Sequence, residues 1–152
     1  MTQLFTIGYE GRAQHDVLKL LVDARIELLV DVRIRSQSRK PGLSKTSLAA
    51  GLAEAGIEYV HLRDLGTPLP IRAEFRANNL ARAREDYLDY LRTDDDAQAQ
   101  LATLLELAQS KRTSILCFEH DPKTCHRRVI AEELARTADV TTTDLGAPTV
   151  AH

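Results

Sequence analysis

The chain has 152 residues, of which 43% are hydrophobic, and this fits one globular domain with a core of its own. Its formal net charge of −2 excludes attraction of polyanions by the protein as a whole, so that only a local basic patch could bind one. Aromatic residues make up 5% and include no tryptophan, which argues against an aromatic platform for stacked bases.

The first half of the chain is predicted to alternate strands and helices. Residues 4–7 are apolar and β-branched and run into a glycine-rich turn at 8–11, which is typical of a buried strand. Apolar residues at helical spacing predict a helix over 14–25, and residues 27–33, apolar on both faces, predict a central parallel strand. Residues 34–45 are polar and rich in serine, so we expect a loop there.

The second half continues this alternation with one irregular region. Ser44 or Thr46 is positioned to cap a helix that runs through Glu54, and a strand is predicted over 57–62. Residues 64–76 contain one glycine and two prolines and are predicted to be irregular. The remaining predicted elements are helices over 80–91 and 97–110 with the acidic run 94–96 as a cap between them, a strand over 113–118, a helix over 126–137 and a weak strand over 139–142.

This order of elements predicts an α/β fold. We expect a single three-layer domain over 1–152, with a mostly parallel sheet of about four or five strands and helices on both faces. Ligands of such sheets bind beyond the carboxyl ends of the strands. That rule brings three segments together: 8–11, 31–45 and 119–127.

The arginine loop, residues 33–45, holds five cations, three serines and no acid. Arginine forks bind phosphate or carboxylate in a bidentate manner, and hydroxyls and a following helix N-terminus add further donors. We therefore predict an anion site on this loop, with Arg33, Arg39, Ser38 and Lys45 as its candidate residues. The alternative is a solvated basic loop whose charge is balanced by acids elsewhere.

The Cys-His-Arg turn, residues 125–127, is the second candidate segment. If Thr124 caps the following helix, Cys125 lies in its first turn beside His126 and Arg127, where a thiol shifts toward the reactive thiolate. In the alternative, Arg127 and the helix N-terminus hold an anion and Cys125 is a small packing residue. Cys117, inside a predicted strand, is assigned to the core.

A zinc site would have to combine Cys117, His120, Cys125 and His126. The segment lacks Cys-x-x-Cys and His-x-x-x-His spacing, and a strand points alternate residues to opposite faces. The sequence therefore predicts no metal site here.

Three acids complete the candidate site. Glu10 and Glu119 each follow a predicted strand, and Tyr9 lies next to Glu10. Either carboxylate could orient a bound group or act as a general base. The alternative for each is a salt bridge to the arginine loop. Asp31 is a carboxylate within an apolar strand, so it needs a buried partner such as Arg33 or Arg39.

The cysteine content and the hydropathy indicate the compartment. Two cysteines are too few for a disulfide framework. The chain lacks an apolar run near the roughly 20 residues that span a bilayer, and its first residues lack the pattern of a signal peptide. We therefore expect a cytoplasmic protein that is not bound to a membrane.

With these residues in view, the chain resembles the uncharacterised family known as domain of unknown function 488. The resemblance implies a compact α/β domain and points to the same arginine loop and Cys-His-Arg turn, without implying a reaction. Ser36 stands where the family often has proline, and Leu43 where it often has phenylalanine. The matching segments are 6–11, 31–33, 38–42 with Lys45, 56–62, 65–66, 116–119, 121–122, 125–127 and 130–131.

These observations lead to one main hypothesis of function. It is an enzyme that acts on a phosphate-bearing small molecule, nucleotide or nucleic-acid component, with Cys125, His126 and Glu119 as catalytic candidates. The alternative is a non-catalytic module that binds nucleic acid or a nucleotide. The helices between 80 and 110 could serve as the face of a homodimer, and the sequence identifies no cofactor.

Overall fold

The structure is a computed structural model that describes residues 1–38 and 40–146. Arg39, one of the predicted anion ligands, lies outside the described residues. None of the helices in these two ranges has both the length and the apolar character needed to cross a membrane. The strands are β1 (Thr2–Gly8), β2 (Leu28–Asp31), β3 (Glu58–His61), β4 (Thr113–Cys117) and β5 (Val140–Leu145), and the helices are α1 (Gln14–Asp23), α2 (Lys45–Glu54), α3 (Leu69–Arg76), α4 (Leu80–Thr93), α5 (Asp95–Ser110) and α6 (His126–Thr137).

The five strands form one parallel sheet in the order β3-β2-β4-β1-β5. This confirms the predicted mostly parallel sheet of about four or five strands. The strand predicted over 139–142 extends further than expected, because β5 pairs with β1 from Thr2–Val140 to Ile7–Leu145.

Helices cover both faces of the sheet, as predicted. Successive residues of β4 point to opposite faces, so that Ile115 and Cys117 join one apolar cluster and Leu116 joins the other. The first cluster includes residues of α4, α5 and α6, and the second includes residues of α1 and α2. Each side of the sheet is therefore buried against its own helical layer.

The order of the strands creates a crevice between β2 and β4. These strands are neighbours, yet the chain leaves β2 toward α2 on one face and leaves β4 toward α6 on the other. Such a reversal opens the carboxyl edge of a parallel sheet, where ligands of these folds bind. The ends of β2 and β4 carry the arginine loop and the segment that leads to the Cys-His-Arg turn.

The prediction of an irregular excursion over 64–76 is wrong. A 3-10 turn covers Arg63–Leu65, and helix α3 follows directly after Pro68. Proline is tolerated in the first turn of a helix because the N–H that it lacks has no partner within the helix there. Ile71 and Phe75, one turn apart on α3, pack against the core and hold the helix in place.

Helix starts agree with the prediction in part. Asp94 caps α5 by accepting a hydrogen bond from the backbone N–H of Ala97, as expected. Ser44 occupies the cap position of α2, but its hydroxyl exchanges hydrogen bonds with the backbone of Ser38. Thr124 does not cap α6, because its hydroxyl donates to the carbonyl of Asp121, and Cys125 takes the cap position.

Gly8 allows the turn after β4 to approach the end of β1. A Cβ atom on Gly8 would lie 1.8 Å from the carbonyl oxygen of Glu119 and 3.0 Å from Nη1 of Arg127. Both values are shorter than ordinary carbon contacts, so any side chain here would push that turn away.

We predict that Gly8→Ala lowers the free energy of unfolding by about 1–3 kcal/mol, the usual cost of overpacking. Chemical denaturation measures the loss. Gly51→Ala is the matched control: its Cβ meets the movable end of the Gln14 side chain, and alanine favours a helix by about 1 kcal/mol. An equal loss in both variants would contradict the close approach at Gly8.

Candidate functional site

A cavity of about 830 Å³ lies at the carboxyl edge of the sheet, over the crevice between β2 and β4. This volume is in the range of small-molecule sites, roughly 300–1,000 Å³. Its walls come from the arginine loop, from α3 and from the segment after β4. The lining residues used below are Tyr9, Arg33, Arg35, Ser38, Arg72, Arg76, Cys117, Phe118, Glu119 and His126.

Asp31 and Arg33 form a buried ion pair at the end of β2. Arg33 donates from Nε to Oδ1 of Asp31 over 2.9 Å and from Nη2 to Oδ2 over 2.7 Å. The hydroxyl of Tyr59 donates to the same carboxylate over 2.6 Å. The predicted need of Asp31 for a cationic partner is confirmed, and that partner is Arg33.

The remaining N–H groups of Arg33 also have partners inside the protein. Nη1 donates to the carbonyl of Leu43 over 2.8 Å and to the hydroxyl of Tyr9 over 3.3 Å, and Nη2 reaches the carbonyl of Ser36 over 3.3 Å. These bonds fold the arginine loop back onto β2. The guanidinium therefore holds the loop in place through hydrogen bonds inside the protein, whereas the sequence predicted it to bind an anion.

Arg127 has a similar position at the end of β4. Its side chain is 1% exposed and donates to the carbonyls of Glu119 (2.5 Å) and His120 (3.2 Å) and to the hydroxyl of Thr6 (3.2 Å). Nη1 also lies 3.0 Å from Sγ of Cys117. Burial lowers the pKa of Arg127 to about 10, so it is still a cation at neutral pH, held by the turn rather than offered to a ligand.

Cys117 and Cys125 meet beneath the pocket. Cys117 belongs to the buried core, as predicted. In the structure its sulfur is also bonded to that of Cys125 as a disulfide. Cys117 ends β4 on the face that α6 covers, and Cys125 starts α6, so both sulfurs point into one space. Nδ1 of His126 lies 3.6 Å from Sγ of Cys125.

The imidazole of His126 is buried and oriented by the backbone. Nε2 lies 2.8 Å from the carbonyl oxygen of Val32, which assigns the proton to Nε2 and leaves the lone pair on Nδ1. Burial lowers the pKa of His126 to about 4, and the charge of Arg127 adds to that effect. The ring is therefore neutral at pH 7, with its free nitrogen facing the sulfur of Cys125.

The expectation that strand alternation keeps the cysteines and histidines apart is therefore wrong for three of the four residues. Cys117, Cys125 and His126 lie together, since the last strand residue and the first helix turn share one face. His120 is separate, with Nδ1 2.9 Å from Nη1 of Arg12.

Glu119 is the carboxylate on the pocket wall. Its Oε2 lies 3.7 Å from Sγ of Cys117. Burial raises the pKa of Glu119, although the nearby charges of Arg127 and Arg72 oppose the shift. The candidate acid thus lies beside the cysteine pair.

The other predicted residues lie at the margin of the site. Ser38 lines the pocket, and its hydroxyl accepts a hydrogen bond from the backbone of Lys40. Lys45 is exposed, and Glu10 accepts a hydrogen bond from the backbone N–H of His120 over 2.9 Å. Neither Lys45 nor Glu10 is among the described residues that line the pocket.

Sequence reasoning missed two cations of the pocket. Arg72 and Arg76 are one turn apart on α3 and line the cavity together with Arg35 of the arginine loop. Among residues 1–38 and 40–146, these three guanidinium groups have no carboxylate partner. A helical reading of 64–76 would have placed both arginines on one face, but the prolines argued against it.

The Asp31–Arg33 pair yields a test of stability. We predict that Asp31→Asn lowers the free energy of unfolding by about 3–5 kcal/mol, since it leaves a buried guanidinium without its counter-charge. Urea unfolding measures the change. The control is Asp23→Asn, which removes an exposed partner of Lys19 and should cost less than about 1 kcal/mol. Similar losses in both variants would contradict the burial of the Asp31–Arg33 ion pair.

Comparison with known proteins assigns the family. The family described as "Domain of unknown function DUF488" matches residues 14–134, a range that includes the arginine loop, α3 and the Cys-His-Arg turn. No curated protein matches the chain. No solved structure matches it either. Because the match covers most of the sequence, the chain belongs to the DUF488 family.

Proposed function

We propose that this protein is an enzyme that acts on a phosphate-bearing small molecule, a nucleotide or a nucleic-acid component bound in the pocket at the carboxyl edge of the sheet. The observation that carries the proposal is the set of three arginines, Arg35, Arg72 and Arg76, around a cavity with reactive groups at its base. Unpaired guanidinium groups bind phosphate through charge and paired N–H donors.

The charges of the pocket wall favour an anionic ligand. Among the described residues, four arginines and one carboxylate line it, and Arg33 is neutralised by Asp31. Three cations therefore face a single acid, Glu119. In the partly closed space of a pocket, such an excess attracts anions more strongly than it would on an open surface.

A nucleotide also fits the apolar part of the wall. Phe118 is 46% exposed and lines the cavity, and its ring packs edge-to-face with that of Tyr9 at a centroid distance of 5.3 Å. A single exposed ring can stack one base, which is less than the extended platform that the composition argues against. This feature supports a base-bearing ligand over a simple phosphate.

The groups at the base of the pocket support an enzyme over a binding module. Cys117 and His126 line the cavity, Cys125 is bonded to Cys117 through its sulfur and contacts His126, and Glu119 lies beside them. A module that only binds phosphate needs cations but has no use for sulfur, imidazole and carboxylate in mutual contact. The bond that is made or broken would lie above this group.

We predict that Arg72→Gln weakens binding of inorganic pyrophosphate and of adenosine diphosphate by roughly 10- to 100-fold, because it removes charged hydrogen bonds worth about 1.5–3 kcal/mol. Isothermal titration calorimetry at low ionic strength measures the loss. Added salt should weaken binding to the wild type more steeply than to the variant. Arg63→Gln, an exposed arginine of the 3-10 turn, is the control, and equal effects of the two changes would refute the pocket as the anion site.

We predict that, in the protein with its cysteines reduced, Cys125→Ser and Glu119→Gln each lower turnover by at least about 100-fold while pyrophosphate binding persists, since general acid–base or nucleophilic groups contribute about that much. Release of inorganic phosphate or of nucleoside from a panel of phosphate esters and nucleotides is the assay. The exposed His15→Ala is the control. Unchanged turnover in both variants would refute Cys125 and Glu119 as catalytic groups, and a wild type without turnover would leave a non-catalytic nucleotide-binding module as the function.

A further inference from the structure

Three soft or borderline metal donors converge beneath the pocket. Sγ of Cys117, Sγ of Cys125 and a ring nitrogen of His126 all lie within 4.8 Å of one another. They come from two elements only: Cys117 ends β4, and Cys125 and His126 start α6. Thiolate and imidazole are the donors that zinc prefers in proteins.

The orientation of His126 fits a metal ligand. Its Nε2–H donates to the carbonyl of Val32 over 2.8 Å, and the other nitrogen, Nδ1, faces Cys125 at 3.6 Å. Histidines that bind metals usually donate their second ring N–H to a carbonyl or carboxylate, which fixes both the tautomer and the ring plane. That arrangement exists here without any further movement of the imidazole.

The backbone spacing of the cysteines also fits an ion between them. Their Cα atoms are 7.4 Å apart, beyond the usual disulfide range of roughly 4.4–6.8 Å. In a tetrahedral site with Zn–S bonds of about 2.3 Å, the sulfurs lie about 3.8 Å apart. A bridging ion therefore suits this backbone separation better than a direct bond does.

The surroundings match the charge and the access that such a site needs. Two thiolates balance a divalent ion, and Nη1 of Arg127, 3.0 Å from Sγ of Cys117, supplies a hydrogen bond to one of them. Because Cys117 and His126 line the cavity, an ion can reach them from the pocket. Glu119, 3.7 Å from Sγ of Cys117, lines the same cavity.

We propose that the reduced chain binds one divalent zinc-type ion through Cys117, Cys125 and His126, with a fourth coordination position open to water or to an oxygen atom of the ligand in the pocket. Three protein ligands and one open position are typical of catalytic rather than structural zinc. The proposal goes beyond the anion pocket, since the three ligands bind the ion whether or not the arginines bind phosphate.

The test is titration of the full chain, reduced and freed of metal by a chelator, with Co²⁺ and then with Zn²⁺. We expect one Co²⁺ per chain, with a thiolate-to-cobalt charge-transfer band and the strong visible bands of tetrahedral cobalt, all removed by Zn²⁺. Cys125→Ser and His126→Gln should each weaken binding by more than the roughly 10- to 100-fold that loss of an outer partner costs.

Controls separate this site from other outcomes. His15→Ala changes an exposed histidine of α1, which packs on the opposite face of the sheet from the cysteines, and should bind Co²⁺ like the wild type. Circular dichroism checks that each variant is folded. Wild type oxidised to the Cys117–Cys125 disulfide should bind no ion. Arg72→Gln should keep full Co²⁺ binding, so that failure of the anion pocket and failure of the metal site are distinguishable.

Two results on the wild type alone would overturn the proposal, even if a variant fails to fold. One is a reduced chain with two titratable thiols that takes up no Co²⁺. The other is bound Co²⁺ without a thiolate charge-transfer band, which would assign the ion to carboxylates or to exposed histidines. Either result would leave the cysteines as a dithiol pair without a metal.

Discussion

The buried ion pair of Asp31 and Arg33 is the interaction on which the site depends. Burying two charges is costly unless each finds its full set of partners. Here the carboxylate binds the guanidinium and Tyr59, and the guanidinium binds the backbone of the arginine loop. The pair therefore converts the end of a strand into an anchor that shapes the mouth of the pocket.

Histidines complete this anchor from both sides. His61 contacts the carbonyl of Arg33 over 2.6 Å, and His126 contacts the carbonyl of Val32 over 2.8 Å. The backbone after β2 thus has partners from β3 and from α6, although it has left the sheet. Buried carbonyls outside regular structure need such partners, and here they also align the imidazole of His126 with the sulfurs.

The sequence was sufficient for the fold because its periodicity is strong. Continuous apolar runs predict β2 and β4, and helical spacing predicts most helices within a few residues of their observed ends. Helix α3 was not predicted because its start contains Pro68 and Pro70, and proline is common both in loops and at the starts of helices. That one ambiguity concealed Arg72 and Arg76.

The site was harder to predict, since it depends on which side chains already have hydrogen-bond partners inside the protein. Sequence identifies Arg33 and Arg127 as cations at strand ends, but only the structure assigns their N–H groups to internal partners. The same limit applies to Cys117. Alternation assigns it to one face of the sheet, but the start of α6 is brought over that face by the turn at 118–125, for which no residue spacing is diagnostic.

The short separation of Cys117 and Cys125 has a consequence for how the pocket is held together. The two residues are eight positions apart, within one strand–turn–helix unit, whereas the cations of the mouth belong to a loop and to α3. Closing a short loop costs little entropy, and parts of a protein open independently according to their local contacts. The groups at the base of the pocket therefore depend on contacts within one short segment, whereas the arrangement of the cations at the mouth depends on contacts between segments that are distant in the sequence.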